Sequence, residues 1–200
     1  MRLRERLKTL YQVRSIRQSI ARASGIKIIV GASGTSYAGW IATDYPAFDI
    51  VREESWARLF EPGQVEAVLA EHVFEHLTES QAVAALANCH SFLRPSGHLR
   101  IAVPDGYHPS SDYIGAVKPS GHGLGSDDHK QLYNYKLLVE QITSAGFSAQ
   151  LLEWFDENGK FNYSDWAEHD GFVGRSARYD LRNKNSPLAY TSLIIDARKS

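Results

Sequence analysis

The sequence predicts an α/β fold, a mostly parallel sheet with helices on both faces. Two observations carry this expectation. Short β-branched or apolar runs recur at Ile26–Val30, Trp40–Thr43, Val65–Ala70, Leu99–Val103, Ala149–Trp154 and Thr191–Ala197. Helical segments with readable ends separate several of them, and strands alternating with helices build βαβ units.

Taken in order, residues 1–24 predict a basic amphipathic helix. Leu3, Leu7, Leu10, Tyr11, Ile16 and Ile20 form its apolar stripe. Seven cations stand against Glu5 alone, so this segment carries +6 while the whole chain is at −1. Two readings stay open: a helix docked by its stripe with a solvated basic face, or an arm for anionic lipid or an acidic protein partner. No nucleic-acid partner is expected, because nothing else in the chain reads as a nucleic-acid module. Residues 25–200 form one domain.

Ile26–Val30 ends in Gly31-Ala-Ser-Gly34, a turn of small residues that lets a ligand approach the backbone. The G-x-G-x-x-G fingerprint is incomplete, since Ser33 stands at the second glycine, and no P-loop lysine follows. Asp44 ends the next strand, where a carboxylate can accept from ribose hydroxyls. After the strand Val65–Ala70 comes Glu71-His-Val-Phe-Glu-His-Leu77, a charged and histidine-rich element hard to explain by packing.

Thr78 with Gln81 is a capping-box pattern opening a helix through Phe92, and Arg94-Pro-Ser-Gly97 turns the chain into the next strand. Asp128 with Gln131 is a second such pattern, for a helix that stops at Gly146. Two long irregular stretches remain. One spans 106–127; the other is an aromatic-rich insertion at about 156–188, dense enough in rings to be a packed lid or partner surface.

The composition, 43% hydrophobic and 22% charged, is that of a water-soluble domain. No apolar run reaches the roughly 18 residues that span a bilayer. The charged N-terminus lacks a signal-peptide core, and the single cysteine, Cys89, forms no disulfide within the chain. A cytoplasmic location is expected.

The order GASG, GWIATD, EHVFEHL, LRPSGHLRIAVPD and DHKQLYNYKLLVEQITSAGF resembles the class I S-adenosylmethionine-dependent methyltransferases, in particular the small bacterial type 11 group. The similarity covers residues 26–155 and the closing strand TSLIIDARK. It implies a Rossmann-like sheet, S-adenosylmethionine as cofactor and methyl transfer to a small polar acceptor. By the same resemblance, Gly31, Ser33 and Gly34 pass under the methionine part, Asp44 binds the ribose and Glu53 faces the adenine amine. Glu71 and His72 line the cofactor pocket, and Asp105 sits at the acceptor rim. His72 and Asp105 are the implied catalytic bases, with His129 a looser candidate. Ile29 and Ser33 depart from the pattern, the first replacing a polar residue and the second a glycine.

His72 and His76 share i,i+4 spacing with Glu75 beside them, but no metal is expected, because the resemblance accounts for EHVFEHL without one. Two other functions compete: a catalytically silent methyltransferase-fold subunit engaging a protein partner through 1–24 or 156–188, and a nicotinamide-dependent oxidoreductase.

Overall fold

The computed structural model describes residues 3–185 and 188–200; the side chains of Leu3, Arg4, Glu5 and Asn185 lie outside that description. The Leu3 side chain of the expected stripe, and Ser186 and Pro187 of the expected insertion, therefore lie outside that description. The chain runs α1 (Leu3–Arg22), β1 (Ile26–Val30), β2 (Ile41–Thr43), α2 (Glu53–Ala57), β3 (Val65–Glu71), α3 (Glu79–Phe92) and β4 (Leu93–Pro104). It continues through α4 (Ser111–Val117), α5 (Tyr135–Ser144), β5 (Phe147–Phe155), β6 (Phe161–Tyr163) and β7 (Ser192–Lys199).

The strands form one seven-stranded sheet in the order β2-β1-β3-β4-β7-β5-β6. β2, β1, β3 and β4 are mutually parallel, while β7 runs antiparallel to both β4 and β5, and β6 antiparallel to β5. The chain leaves β1 for β2 on one side and returns to β3 on the other. The direction of winding therefore reverses beside β1, and an open α/β sheet leaves a ligand crevice outside the strand ends at such a point.

Strand alternation gives the sheet two chemically different faces. Ile28, Val68, Ile101 and Ile195 belong to one large cluster with Trp56 of α2, Leu86 of α3 and Ile142 of α5. Thr78 caps α3 through Gln81 in both directions, as its spacing predicts. The second helix opens later than Asp128: Asn134 is its N-cap, its side chain accepting from the Leu137 amide at 3.0 Å. The amides of Lys130 and Gln131 are bound instead by the Glu75 carbonyl, which keeps residues 128–133 out of the helix. Gly146 closes α5 at φ +89°.

α1 docks by its C-terminal half. Val13 and Ile16 are buried and Ile20 packs on the core, whereas Leu7, Leu10 and Tyr11 stay exposed. No helix among the described residues is long and apolar enough to cross a membrane.

The opposite face, with Ile29, Leu69, Ala102 and Ile194, is covered by the aromatic-rich segment and its 3-10 turn Glu168–Asp170. Polar groups of the sheet hold that segment down. Arg100, 1% exposed, pairs with Asp196 at 2.7 Å, donates to the Ala167 and Gly171 carbonyls and stacks on Trp166. Nε2 of His98 meets the Asp170 carbonyl at 2.6 Å, and Glu153 accepts from Trp166 Nε1 and the Ala177 amide. Arg100→Met removes the main partner of a buried carboxylate, leaving Asp196 only the partly exposed Arg198. Urea unfolding should show a loss of about 3 kcal/mol. A loss below about 1 kcal/mol would mean that Arg100 is not what fastens the segment.

Candidate functional site

At the reversal point lies a cleft of about 500 Å³, floored by Ile29 and Leu69 and bounded by Gly31, Glu71, His72 and Glu75. A second cleft of about 530 Å³ adjoins it, walled by Tyr113, Tyr190, Arg182 and Pro104. The two share His72, Leu124, His129 and Arg175.

The first turn is built by backbone geometry. Gly31 has φ +61°, and a Cβ there would come within 2.8 Å of Val73. Ser33 also adopts a left-handed conformation, φ +47°, which an L-residue with a Cβ disfavours. The loop's amides are largely used within the protein: Ala32 donates to the Thr43 carbonyl, Thr35 to Ala32, and Ser33 to Asp44 Oδ2 at 2.7 Å. No helix follows the turn; the chain reaches β2 through further turns, so this turn presents no helix N-terminus to the cleft.

β3 delivers Glu71 to the cleft wall, where its Oε1 accepts the Arg175 amide at 2.8 Å. Burial first, and the Glu71 charge second, push the Tyr37 hydroxyl up to about 12. The next residue, His72, has φ +54° and a side chain that is 8% exposed. Its Nδ1 lies 2.7 Å from Glu75 Oε1, and its Nε2 lies 3.0 Å from Ser192 Oγ. The Ser192 hydroxyl donates its single proton to the Arg175 carbonyl, so toward His72 it can only accept. Both ring nitrogens thus face protein groups and neither points freely into the clefts.

Glu75 is wholly buried, and neither carboxylate oxygen has an aligned hydrogen bond among the described residues. Its Oε1 nonetheless lies 2.7 Å from Nδ1 of His72. Burial opposes ionisation of Glu75, but the charge and proximity of His72 prevail and hold its carboxyl below the usual range. His76 and His129 complete this wall, their rings 4.8 Å apart and nearly perpendicular.

The remaining expected residues separate. Asp44 stands beside the turn, as its place after β2 implies, with one oxygen on Ser33. Glu53 is exposed in the first turn of α2 and does not line the cleft. Asp105, expected at the acceptor rim, is fully buried, its two oxygens accepting the Tyr107 and Phe155 amides at 2.9 and 2.8 Å. Burial pushes it up to about 6 despite those two bonds. Arg175, Ser192, Tyr113 and Tyr190 lie at the site without having been singled out from the sequence. For Arg175 the available signal was its place in the aromatic-rich stretch already marked as functional.

No family model matches this sequence, and no curated protein matches it. Solved structures do match. One is a SAM-dependent methyltransferase from Archaeoglobus fulgidus, at 16% identity over 95% of this chain and 93% of that one, with TM-score 0.51. Another is an S-adenosylmethionine-dependent methyltransferase from Mesorhizobium loti, at 10% identity over 92% and 96%, with TM-score 0.53. The fold is that of the class I methyltransferases. A third match, a possible histamine N-methyltransferase from Thermotoga maritima, is 10% identical over 98% and 90%, with TM-score 0.51. At such identities the likeness reaches the fold and does not narrow it to the type 11 group.

Two measurements test the local geometry. Ser33→Gly relieves a left-handed conformation and should raise stability by about 0.5–1 kcal/mol in urea unfolding, against the usual glycine penalty. Asp105 binds its proton more tightly folded than unfolded, so its contribution is complete below pH 3.8 and fades as pH rises through about 6. Relative to Asp105→Asn, the wild type should lose roughly 2.4 kcal/mol between pH 4 and pH 7. A pH-independent difference would sink this assignment.

Proposed function

We infer that this chain transfers a methyl group from S-adenosylmethionine to a small polar acceptor. The observation that carries the reading is the pair of adjoining clefts at the point of strand reversal, meeting at His72 and His129. Two reactants held side by side in such clefts are brought into one reacting geometry.

The residues present fit the methionine half of the cofactor. Glu71 keeps its second oxygen for an ammonium group, in place of the polar residue that Ile29 replaces. Gly31 leaves the backbone open to close approach, and Ile29 and Leu69 give an apolar floor. Asp44, beside Ser33 and Gly34, retains one oxygen for the ribose. Glu53 has no part in this arrangement. When bound, S-adenosylmethionine supplies a methyl carbon already activated by positively charged sulfur.

The chain's own work is binding and alignment. His72, held on both sides, positions the wall between the clefts, and Asp105 holds the start of the 106–127 loop through Tyr107. With both His72 nitrogens turned to protein groups and Asp105 buried, the favoured acceptor arrives as its own nucleophile, an amine or a thiolate. Arg175 adds positive charge to the acceptor side, which suits an anionic group elsewhere on that molecule, whereas Arg182 is already paired with Asp180.

A second reading, the silent subunit, is favoured by the turn itself: its amides are taken up internally and Ser33 carries a Cβ. Thermal-shift titrations with S-adenosylmethionine, S-adenosylhomocysteine and NAD separate the possibilities. The first two should raise the melting temperature with concentration, by about 2.7 kcal/mol of stabilisation at a hundredfold excess over Kd. Glu71→Gln should weaken both by roughly tenfold, about 1.4 kcal/mol. No shift with either would overturn methyl transfer in favour of the silent subunit, and a shift with NAD alone would favour the oxidoreductase.

A further inference from the structure

We propose that Glu75, His76 and His129 bind a divalent transition-metal cation of the zinc type at the wall shared by the two clefts. The proposal rests on the geometry of these side chains and does not depend on methyl transfer.

Glu75 and His76 occupy the 3-10 turn Phe74–His76, directly after β3, whereas His129 follows a second 3-10 turn, Ser126–Asp128. Fifty or so residues of chain separate them, and the fold brings one donor atom from each within 4.8 Å of the others. The Glu75 carbonyl binds both the Lys130 and Gln131 amides, so backbone hydrogen bonds clamp the two segments together. The approach is therefore fixed by the main chain and not by flexible side chains alone.

Each donor is prepared. Nδ1 of His129 lies 2.6 Å from the Val117 carbonyl, which fixes that nitrogen as the N–H and leaves Nε2 with its lone pair. Nδ1 of His76 has Asp128 Oδ2 as a looser neighbour at 3.6 Å. Metal-binding histidines characteristically engage a carbonyl or carboxylate through the nitrogen that is not coordinated. Glu75 uses one oxygen against His72, and its other oxygen is buried with no partner among the described residues. A buried carboxylate oxygen without a hydrogen bond is costly in a protein that holds no ligand there. A cation supplies what that oxygen lacks.

Zinc takes nitrogen and oxygen donors at about 2.0–2.2 Å in tetrahedral arrangement, with donors some 3.3–3.6 Å apart. Small side-chain rotations, closing the triangle by roughly 1.5 Å, complete it. Three protein donors leave one position open, the pattern of a site that receives water or a substrate atom. Glu75, His76 and His129 all border the first cleft, and His129 borders the second as well, so a hydroxyl or thiol entering either finds that position.

The test uses full-length protein stripped with a chelator and titrated with Co²⁺, then with Zn²⁺ in competition. One Co²⁺ should bind per chain with the visible absorption of a tetrahedral nitrogen–oxygen site, and Zn²⁺ should displace it. His129→Ala and His76→Ala change only partly buried side chains, and circular dichroism would verify their folding. Each should weaken Co²⁺ binding at least tenfold, whereas His169→Ala, an exposed histidine outside the cluster, should leave it unchanged. Absence of a stoichiometric site below about 100 µM, equal to only ~5.5 kcal/mol of binding, would overturn the proposal. So would binding that survives both substitutions. These outcomes are independent of cofactor titrations, so failure here and failure of the methyl-transfer reading are separable.

Discussion

The carboxylate of Glu75 has no contact with water, and much of the site is arranged around that fact. An isolated buried charge costs several kcal/mol, and here the compensation comes from three parts of the chain. His72 approaches from the end of β3 in a left-handed conformation that turns its ring back toward the carboxylate. Ser192, at the start of β7, fixes the far side of that ring. The Glu75 carbonyl meanwhile gathers the 130–131 backbone, which brings His129 to the same wall. Electrostatic necessity and site geometry coincide at one side chain.

A different solution covers the far face of the sheet. A helix satisfies its own backbone and needs only an apolar stripe to dock, but the segment over Ile29, Leu69 and Ile194 is mostly irregular. Its carbonyls and amides must find partners in the sheet. Arg100, His98 and Glu153 supply them from strand positions that an apolar layer would fill with aliphatic residues. The same segment carries Arg175, whose amide binds Glu71 and whose carbonyl binds Ser192. Cover and cleft are thereby one structure, and the polar residues buried beneath the cover contribute to the shape of the site.

Local physics was legible in the sequence, and contacts between distant segments were not. The β-branched run Ile26–Val30 and the Thr78 capping box act within a few residues, and both appear where their spacing puts them. β6 was missed although Asn158-Gly159, a strong hairpin signal, lies directly before it, and Gly159 has φ +72°. Asp128 carries the right spacing for a cap, yet loses that role to Asn134 because Glu75 claims the intervening amides. Asp105 follows β4 as a rim residue would, but the Phe155 amide at the end of β5, beyond the intervening β7, draws it inward. The grouping of His129 with Glu75 and His76 depends on tertiary closure that no local pattern announces.

His72 and Ser192 stand 120 residues apart in sequence. β7 is also the strand that slots between β4 and β5, antiparallel to both. The wall between the clefts therefore cannot exist until the last strand has inserted. Because β5 and β6 reach the parallel half of the sheet only through β7, that strand both joins the two halves and gives His72 its second partner. The shaping of the site and the joining of the sheet are thus one event, and loosening β7 would open the wall between the clefts.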